Sequence, residues 1–315
     1  MIVLFSYNGD RSTNRLIDWL NYIECPFKRI NIEEEDFKNI KIVIANKKIN
    51  VVFVLNNGEI IDFSKVDFFY NRGRKFVNPE LKNESNIPDE IYGKYLLQEY
   101  NSITNFFYDE VNKKSVGCFQ QDSHSKLNQL FFAQKYLLGV PNSVIINKKK
   151  VLQSYFEDKK IITKAIHENI AIRHKGQFHL QRVQRTDLQN IPDEFFPSLF
   201  QNEINKEYEI RSYYLDGKFF TIRFYSDSEN IDMRDNYLQS RFEPYRLPKK
   251  TENSLIKVMK SLKLLSGSID MIRSKEGIYY YLEVNPNGQY DWVSQYGGYH
   301  LDKEIALFIK SKISV

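Results

Sequence analysis

The chain has 315 residues, more than one hydrophobic core usually holds, so two or three packed subdomains are expected and a single small module is excluded. Lys and Arg total 45 against 40 Asp and Glu, a net charge of +5 spread along the chain without the stripe that grips nucleic acid, and an apolar share of 42% excludes a mostly disordered chain. Cys25 and Cys118 form neither a CxxC pair nor a metal cluster, and the longest apolar run, residues 51 to 55, is far too short to cross a bilayer; the reading is a soluble cytoplasmic protein in a reducing compartment, with no nucleic-acid or membrane partner.

An apolar strand over residues 2 to 5 opens the chain, and helical spacing through Leu16, Ile17, Trp19 and Leu20 begins after Ser12 or Thr13, either of which can cap the free N–H groups. Strand-like runs at 41 to 45 and 51 to 55, with a turn at Asn56-Asn57-Gly58 into 60 to 63, place antiparallel hairpins beside this α/β start. A long helix is expected over 91 to 108, and a second unit begins near 110 to 120, with a helix over 125 to 138 that stops at Gly139 and Pro141. From 161 onward strands dominate: 161 to 166, then 170 to 174 with 178 to 183, then 207 to 214 with 219 to 225 around Asp216-Gly217. A helix over 252 to 265, a hairpin of 268 to 273 with 278 to 284, and a helix over 301 to 310 complete the chain, for an α+β class.

The final hairpin is the most informative segment. Side chains alternate along a strand, so Glu283 and Asn285 share one face while Leu282 and Val284 take the other. With a loop of two or four residues Asp270 opposes Tyr281 and lies diagonally, roughly 7 Å away, from Glu283. Two carboxylates and an amide oxygen then suit a hydrated hard cation, Mg2+ best; the alternative is a solvated polar face, with Asn285-Pro286-Asn287-Gly288 merely a turn. Lys164 shares a strand face with Ile162 and Ile166, where a lysine needs an anion or guards an edge. Lys126 near a helix start is an additional cation, or simply solvated. Gly176, at the tip His174-Lys175-Gly176-Gln177, could top a phosphate lid, without the glycine density of a dedicated phosphate loop. Glu209 and Arg211 share a face, Arg223 lies on the partner strand, and Asp232 and Arg234 follow. Arginines facing carboxylates can hold a phosphate or carboxylate, or form cross-strand ion pairs. A strict two-residue turn at Asp216-Gly217 puts Arg211 and Arg223 on opposite faces; a bulge or longer loop joins them.

The order of these pieces resembles the ATP-grasp ligases, closest to the branch that cyclises ribosomally made peptides, the microviridin-type graspetide maturases including the grasp-with-spasm type. The likeness runs through Ser12-Thr13-Asn14, Tyr70-Asn71-Arg72-Gly73, Lys126-Leu127-Asn128-Gln129-Leu130 through Gly139-Val140-Pro141, Phe200 to Arg211, Gly217 to Ser226, Asp232-Met233-Arg234 and, most specifically, Glu283-Val284-Asn285-Pro286-Asn287-Gly288-Gln289. It departs from such maturases at Met233, where they often carry Trp, and at Asn202-Glu203, where an acidic residue and an aromatic are more usual. The resemblance implies an ATP-grasp fold: an N-terminal α/β domain over 1–115, a central subdomain over 116–199 with a peptide-binding hairpin, and a C-terminal subdomain over 200–315 with the metal site, ATP lying between two sheets. It further implies that Lys126 and Lys164 contact phosphates, that Gln201, Asn202, Glu203 and Ile204 form the adenine hinge with Glu209 nearby, and that Asp270, Glu283 and Asn285 bind Mg2+. Arg211, Arg223, Asp232 and Arg234 then serve catalysis. The implied reaction phosphorylates an Asp or Glu side chain of a precursor peptide and lets Ser, Thr or Lys displace phosphate, giving an ester or amide ring, in an enzyme that is commonly a homodimer. An amino-acid ligase acting on a protein terminus and a lapsed ATP- or leader-binding module are the alternatives.

Overall fold

In a computed structural model of the chain, the structure describes residues 1–35, 40–72, 76, 90–119, 125–157, 159–166, 171–174, 177–180, 183–225 and 241–313. The N-terminal unit comprises β1 (Ile2–Ser6), α1 (Arg11–Tyr22), β2 (Phe27–Asn31), β3 (Ile40–Ala45), β4 (Lys48–Val54), β5 (Ile60–Asp62), β6 (Phe68–Asn71), α2 (Glu90–Asn112) and β7 (Ser115–Val116). Four strands make a parallel sheet in the order β2-β1-β6-β7, and β3-β4-β5 form a separate antiparallel sheet. The cap of α1 is Asp10 rather than Ser12 or Thr13, because its carboxylate accepts from both the backbone N–H and the hydroxyl of Thr13. Phe5, Phe53, Phe63, Phe69, Phe107 and Phe119 interlock in the core of this unit.

The central unit holds α3 (Lys126–Lys135), β8 (Ser143–Lys148), α4 (Lys149–Phe156), β9 (Ile161–Lys164), β10 (Ala171–His174), β11 (Gln177–Leu180), β12 (Gln184–Arg185) and β13 (Glu194–Asn202). One sheet runs β12-β9-β13-β8 and the β10-β11 hairpin stands apart. The expected boundary at 199/200 falls inside β13, which pairs with β8 and β9 as far as Gln201 and Asn202; the chain enters the next sheet only at Lys206.

That next sheet has the order β16-β15-β14-β17-β18, built from β14 (Lys206–Leu215), β15 (Lys218–Tyr225), β16 (Arg241–Tyr245), β17 (Ser266–Ser274) and β18 (Tyr279–Asn285). Helices α5 (Lys249–Ser261), α6 (Asp291–Gly297) and α7 (Leu301–Lys310) complete it. Its rear face, with Ile210, Tyr214, Ile269, Met271, Tyr281 and Val284, packs on α3 and α5. On the front face, Tyr213, Leu215 and Ile222 share a core with Leu4, Tyr70, Val116, Tyr290 and α7, so the N-terminal unit covers one end of this face and leaves the other end free. Among the described residues no helix is long and apolar enough to cross a membrane.

The joint between units is tight at Gly117, whose φ of +82° suits glycine and whose missing Cβ would lie 1.9 Å from the Asn71 carbonyl oxygen. Replacing Gly117 with alanine should therefore lower stability by about 2–4 kcal/mol through strain and overpacking together, measured by urea unfolding; a change under about 0.5 kcal/mol, the size typical of a surface substitution, would show that the joint yields.

Candidate active site

The free end of the front face carries the charge. Along β14 the alternation puts Glu209, Arg211, Tyr213 and Leu215 forward, the last two apolar and covered, the first two polar and open to the cleft. Across the sheet Arg211 pairs in register with Asp270, and Asp270 with Glu283. The sequence pattern placed Asp270 opposite Tyr281; instead Met271 pairs with Tyr281, and a bulge leaves Leu282 without a partner residue, so the two carboxylates stand directly across from one another. Asn285 lies opposite Ser268, two positions along the same face, and its Oδ1 accepts the Asn287 N–H at 3.0 Å. The turn is more than a connection: the Asn287 amide both donates to Cys118 O at 2.6 Å and accepts from Cys118 N–H at 2.9 Å, fastening the end of β18 to the N-terminal unit.

Cations come from the central unit. Ser125 caps α3, and Lys126 in its first turn puts Nζ 3.3 Å from Glu283 Oε2 while donating to the Ala165 carbonyl at 3.0 Å. Lys164 ends β9 on the face shared with Leu199, Ile162 and Gln201, away from the small core formed by Ile161, Phe200, Leu152 and Phe156. Burial is the main influence lowering its pKa, opposed by the Glu283 and Asp270 carboxylates and assisted by Lys126, so these three groups lie within electrostatic reach of Lys164. Burial, with Glu283 and Glu209 nearby, pushes Asp270 up to about 7 against the pull of Arg211 and Lys164. Burial acts likewise on Glu283, but Lys164, Lys126 and Arg211 outweigh it and hold that carboxyl below its usual range.

Arg211 pairs with Asp270 and stacks over the Trp292 ring at 5.3 Å, while its Nε is buried with no hydrogen-bond partner among the described residues. Trp292 escapes the sequence reading; the available signal was a tryptophan just past the Asn-Pro-Asn-Gly-Gln segment. Glu209 is held by Lys206 at 2.7 Å. Gln201, 1% exposed, donates to Ser143 Oγ at 2.8 Å and leaves Oε1 unsatisfied; Asn202 exchanges hydrogen bonds with Asn142, and Glu203 takes Arg185 in a bidentate pair. Ile204 is half-buried in the link between the two sheets.

Arg223 does not join the cluster. The turn at Asp216-Gly217 is a strict two-residue one, with Leu215 paired to Lys218 and both turn residues at positive φ, so Arg223 pairs with Ile210 and lies on the rear face. There it binds Glu243 at 2.8 Å and packs over the rings of Tyr208, Tyr225 and Tyr245. Asp232, Arg234 and the tip at Gly176 lie outside the described residues. A cleft of about 850 Å3 on the rear side, among Asn112, Lys113, Phe132, Tyr214 and Lys260, contains none of the clustered residues.

No family model and no curated protein matches the sequence. Solved structures do match, over nearly the whole chain. A Chryseobacterium gregarium RiPP-associated ATP-grasp ligase, in complex with ADP and a leader and core peptide, superposes with a TM-score of 0.77 at 18% identity, covering 99% of this chain and 97% of that one. The macrocyclase MdnC of Microcystis aeruginosa, bound with precursor peptide MdnA, gives 0.75 at 20% identity, with 98% and 99% covered. The chain has the ATP-grasp fold. The ATP-grasp ligase PsnB, complexed with a phosphomimetic variant of a minimal precursor, Mg and ADP, gives 0.73 at 13% identity, with 99% and 98% covered. In this ATP-grasp chain the cluster lies between the central and C-terminal sheets.

The donor set suits a hard divalent cation: opposed carboxylates of which one is pushed toward its neutral form, with an amide oxygen beside them. Among the described residues no group of three His, Cys, Asp or Glu side chains gathers, so a cation there would draw further oxygens from Asn285, water or a bound phosphate. A double-mutant cycle on Lys126→Met and Glu283→Gln tests the geometry in the ligand-free protein. The expected coupling is about 1 kcal/mol in urea unfolding, and additivity would show that the two side chains do not meet.

Proposed function

We propose that the protein is an ATP- and Mg2+-dependent ligase that forms side-chain ester or amide crosslinks in a ribosomally made precursor peptide. The observation that carries this reading is the convergence of Lys126 from α3 and Lys164 from the central sheet on Asp270 and Glu283 of the C-terminal sheet, where Arg211 pairs with Asp270. Nucleotide would lie between them, its adenine toward the link at Gln201 to Ile204, where the unsatisfied Gln201 Oε1 awaits a donor, and its phosphates beneath Lys126 and Lys164. Asp270, Glu283 and Asn285 would hold Mg2+, which when bound neutralises phosphate charge.

A carboxylate is a poor electrophile. A peptide Asp or Glu that takes the terminal phosphoryl group becomes an acyl phosphate as ADP departs, and a Ser, Thr or Lys side chain then attacks the acyl carbon and expels inorganic phosphate. Lys126 and Lys164 offset the charge that gathers in the first step. Arg211, held flat by Trp292, offers its free buried Nε to the acyl or phosphoryl oxygens. In this reading Arg223 belongs to the rear-face aromatic cluster, and the β10-β11 hairpin is where the peptide is gripped. Dependence on ATP and two buried free thiols suit the cytoplasm, and a homodimer is the proposed assembly, which sedimentation of the purified chain measures.

Incubation with ATP, Mg2+ and a precursor peptide encoded beside the gene should release ADP and remove one water per crosslink, read by mass spectrometry. Lys164→Met should cut turnover about a thousandfold while leaving the fold intact. A gain in mass would point instead to addition of free amino acids, and absence of both ADP and any mass change would overturn the proposal.

A further inference from the structure

One buried side chain outside the charged cluster bonds the strand residue next to Glu283. Gln129 lies one turn after Lys126 on the same face of α3, together with Leu130 and Ala133, and is only 4% exposed. Its Oε1 accepts the Val284 N–H at 2.8 Å and the Tyr281 hydroxyl at 3.1 Å, and its Nε2 donates to the Val284 carbonyl at 3.1 Å. The amide thus pairs with both peptide groups of one strand residue, as a neighbouring strand would.

The reason lies in the bulge. On its outer edge β18 is joined by Gly139, whose N–H donates to Tyr279 O at 3.1 Å and whose carbonyl accepts Tyr281 N–H at 2.8 Å. Outward peptide groups recur every second residue, so a regular strand would next present Glu283; with Leu282 bulged, the outward position moves to Val284 and Glu283 turns toward Asp270. Among the described residues the segment pairs with β18 only at Gly139, and the Val284 peptide groups take their hydrogen bonds from the glutamine amide instead. A register without the bulge would flip Glu283 away from Asp270 and Lys126.

We infer that Gln129 is a positioning residue, holding the bulged register of β18 so that Glu283 faces Asp270 and the metal-bound phosphates; this rests on the reading given under Proposed function. Lys126 grips the Glu283 carboxylate and Gln129 the backbone immediately after it, so one helix face sets both the charge and the orientation of this side chain.

The test uses Gln129→Met, which keeps the volume and removes all three hydrogen bonds, and Tyr281→Phe, which removes one. ADP affinity is measured by calorimetry with Mg2+ and again in EDTA, and amide exchange of the segment 281–285 is followed in the ligand-free protein. The expected result for Gln129→Met is faster exchange across that segment and a loss of about 10–100-fold in affinity with Mg2+, against less than about threefold in EDTA. Tyr281→Phe should give the same selective loss at about threefold to tenfold, and so answers the question even should Gln129→Met fail to fold. Folded variants that bind ADP with wild-type affinity in Mg2+, whatever their melting temperature, would make Gln129 purely structural and overturn the inference. A wild-type chain whose ADP affinity is the same with and without Mg2+ would overturn the metal reading itself, and the inference with it, before any variant is made.

Discussion

Two carboxylates placed directly across a pair of antiparallel strands repel each other, and everything around Asp270 and Glu283 answers that repulsion. Arg211 on the adjoining strand takes one, while Lys126 from α3 and Lys164 from the central sheet approach the other. The central sheet depends on the other for its charge: half-buried Lys164 is compensated by those carboxylates, while burial drives Asp270 toward its neutral form against the pull of Arg211 on its own sheet and of Lys164. The cleft is therefore an electrostatic joint between subdomains before it is a binding site.

The rest of the architecture keeps that joint in place by dividing a single sheet face. At one end Tyr213, Leu215 and Ile222 bury themselves against the N-terminal unit and α7; a few residues along the same strands, Glu209, Arg211 and Asp270 stay polar and face the central sheet. The apolar end anchors, and the charged end faces the cleft. Asn287, clamped to Cys118, transmits the anchoring to the last turn of the site, and Trp292 on α6 carries it to Arg211 through its ring. On the rear of the sheet the Tyr208, Tyr245 and Tyr279 hydroxyls link in a chain beneath Arg223, which the strand register places on this face and so outside the cleft.

Much of this was legible from local chemistry. The hairpins β3-β4, β14-β15 and β17-β18 and the unusual pairing of polar residues with strand alternation at Lys164, Asp270 and Glu283 follow from turn residues and period-two patterning, and the closing helix from helical spacing. Elements without such marks passed unread: β8 and α4 form a run of lysines and aliphatics with no break between them, β13 carries a proline at position 197, and β16 is five residues long with an internal proline and, among the described residues, one paired edge. Gln129 had no local signal, since a glutamine in a helix is ordinarily solvated; its partner lies 155 positions away.

The sequence by itself determined which residues can carry charge on which face of each strand, because side-chain alternation is a property of the strand alone. It left the Asp216-Gly217 question open, since a two-residue turn and a bulge give opposite parities for Arg211 and Arg223, and the folded chain has the two-residue turn. Only the tertiary structure decided which faces meet. A bulge of one residue at Leu282 reverses the parity of everything before it on β18, and whether that bulge forms depends on partners supplied by α3 and Gly139, far away in the chain. Local periodicity cannot encode such a partner, because the energy that selects the bulged register is released only when the distant segments have packed.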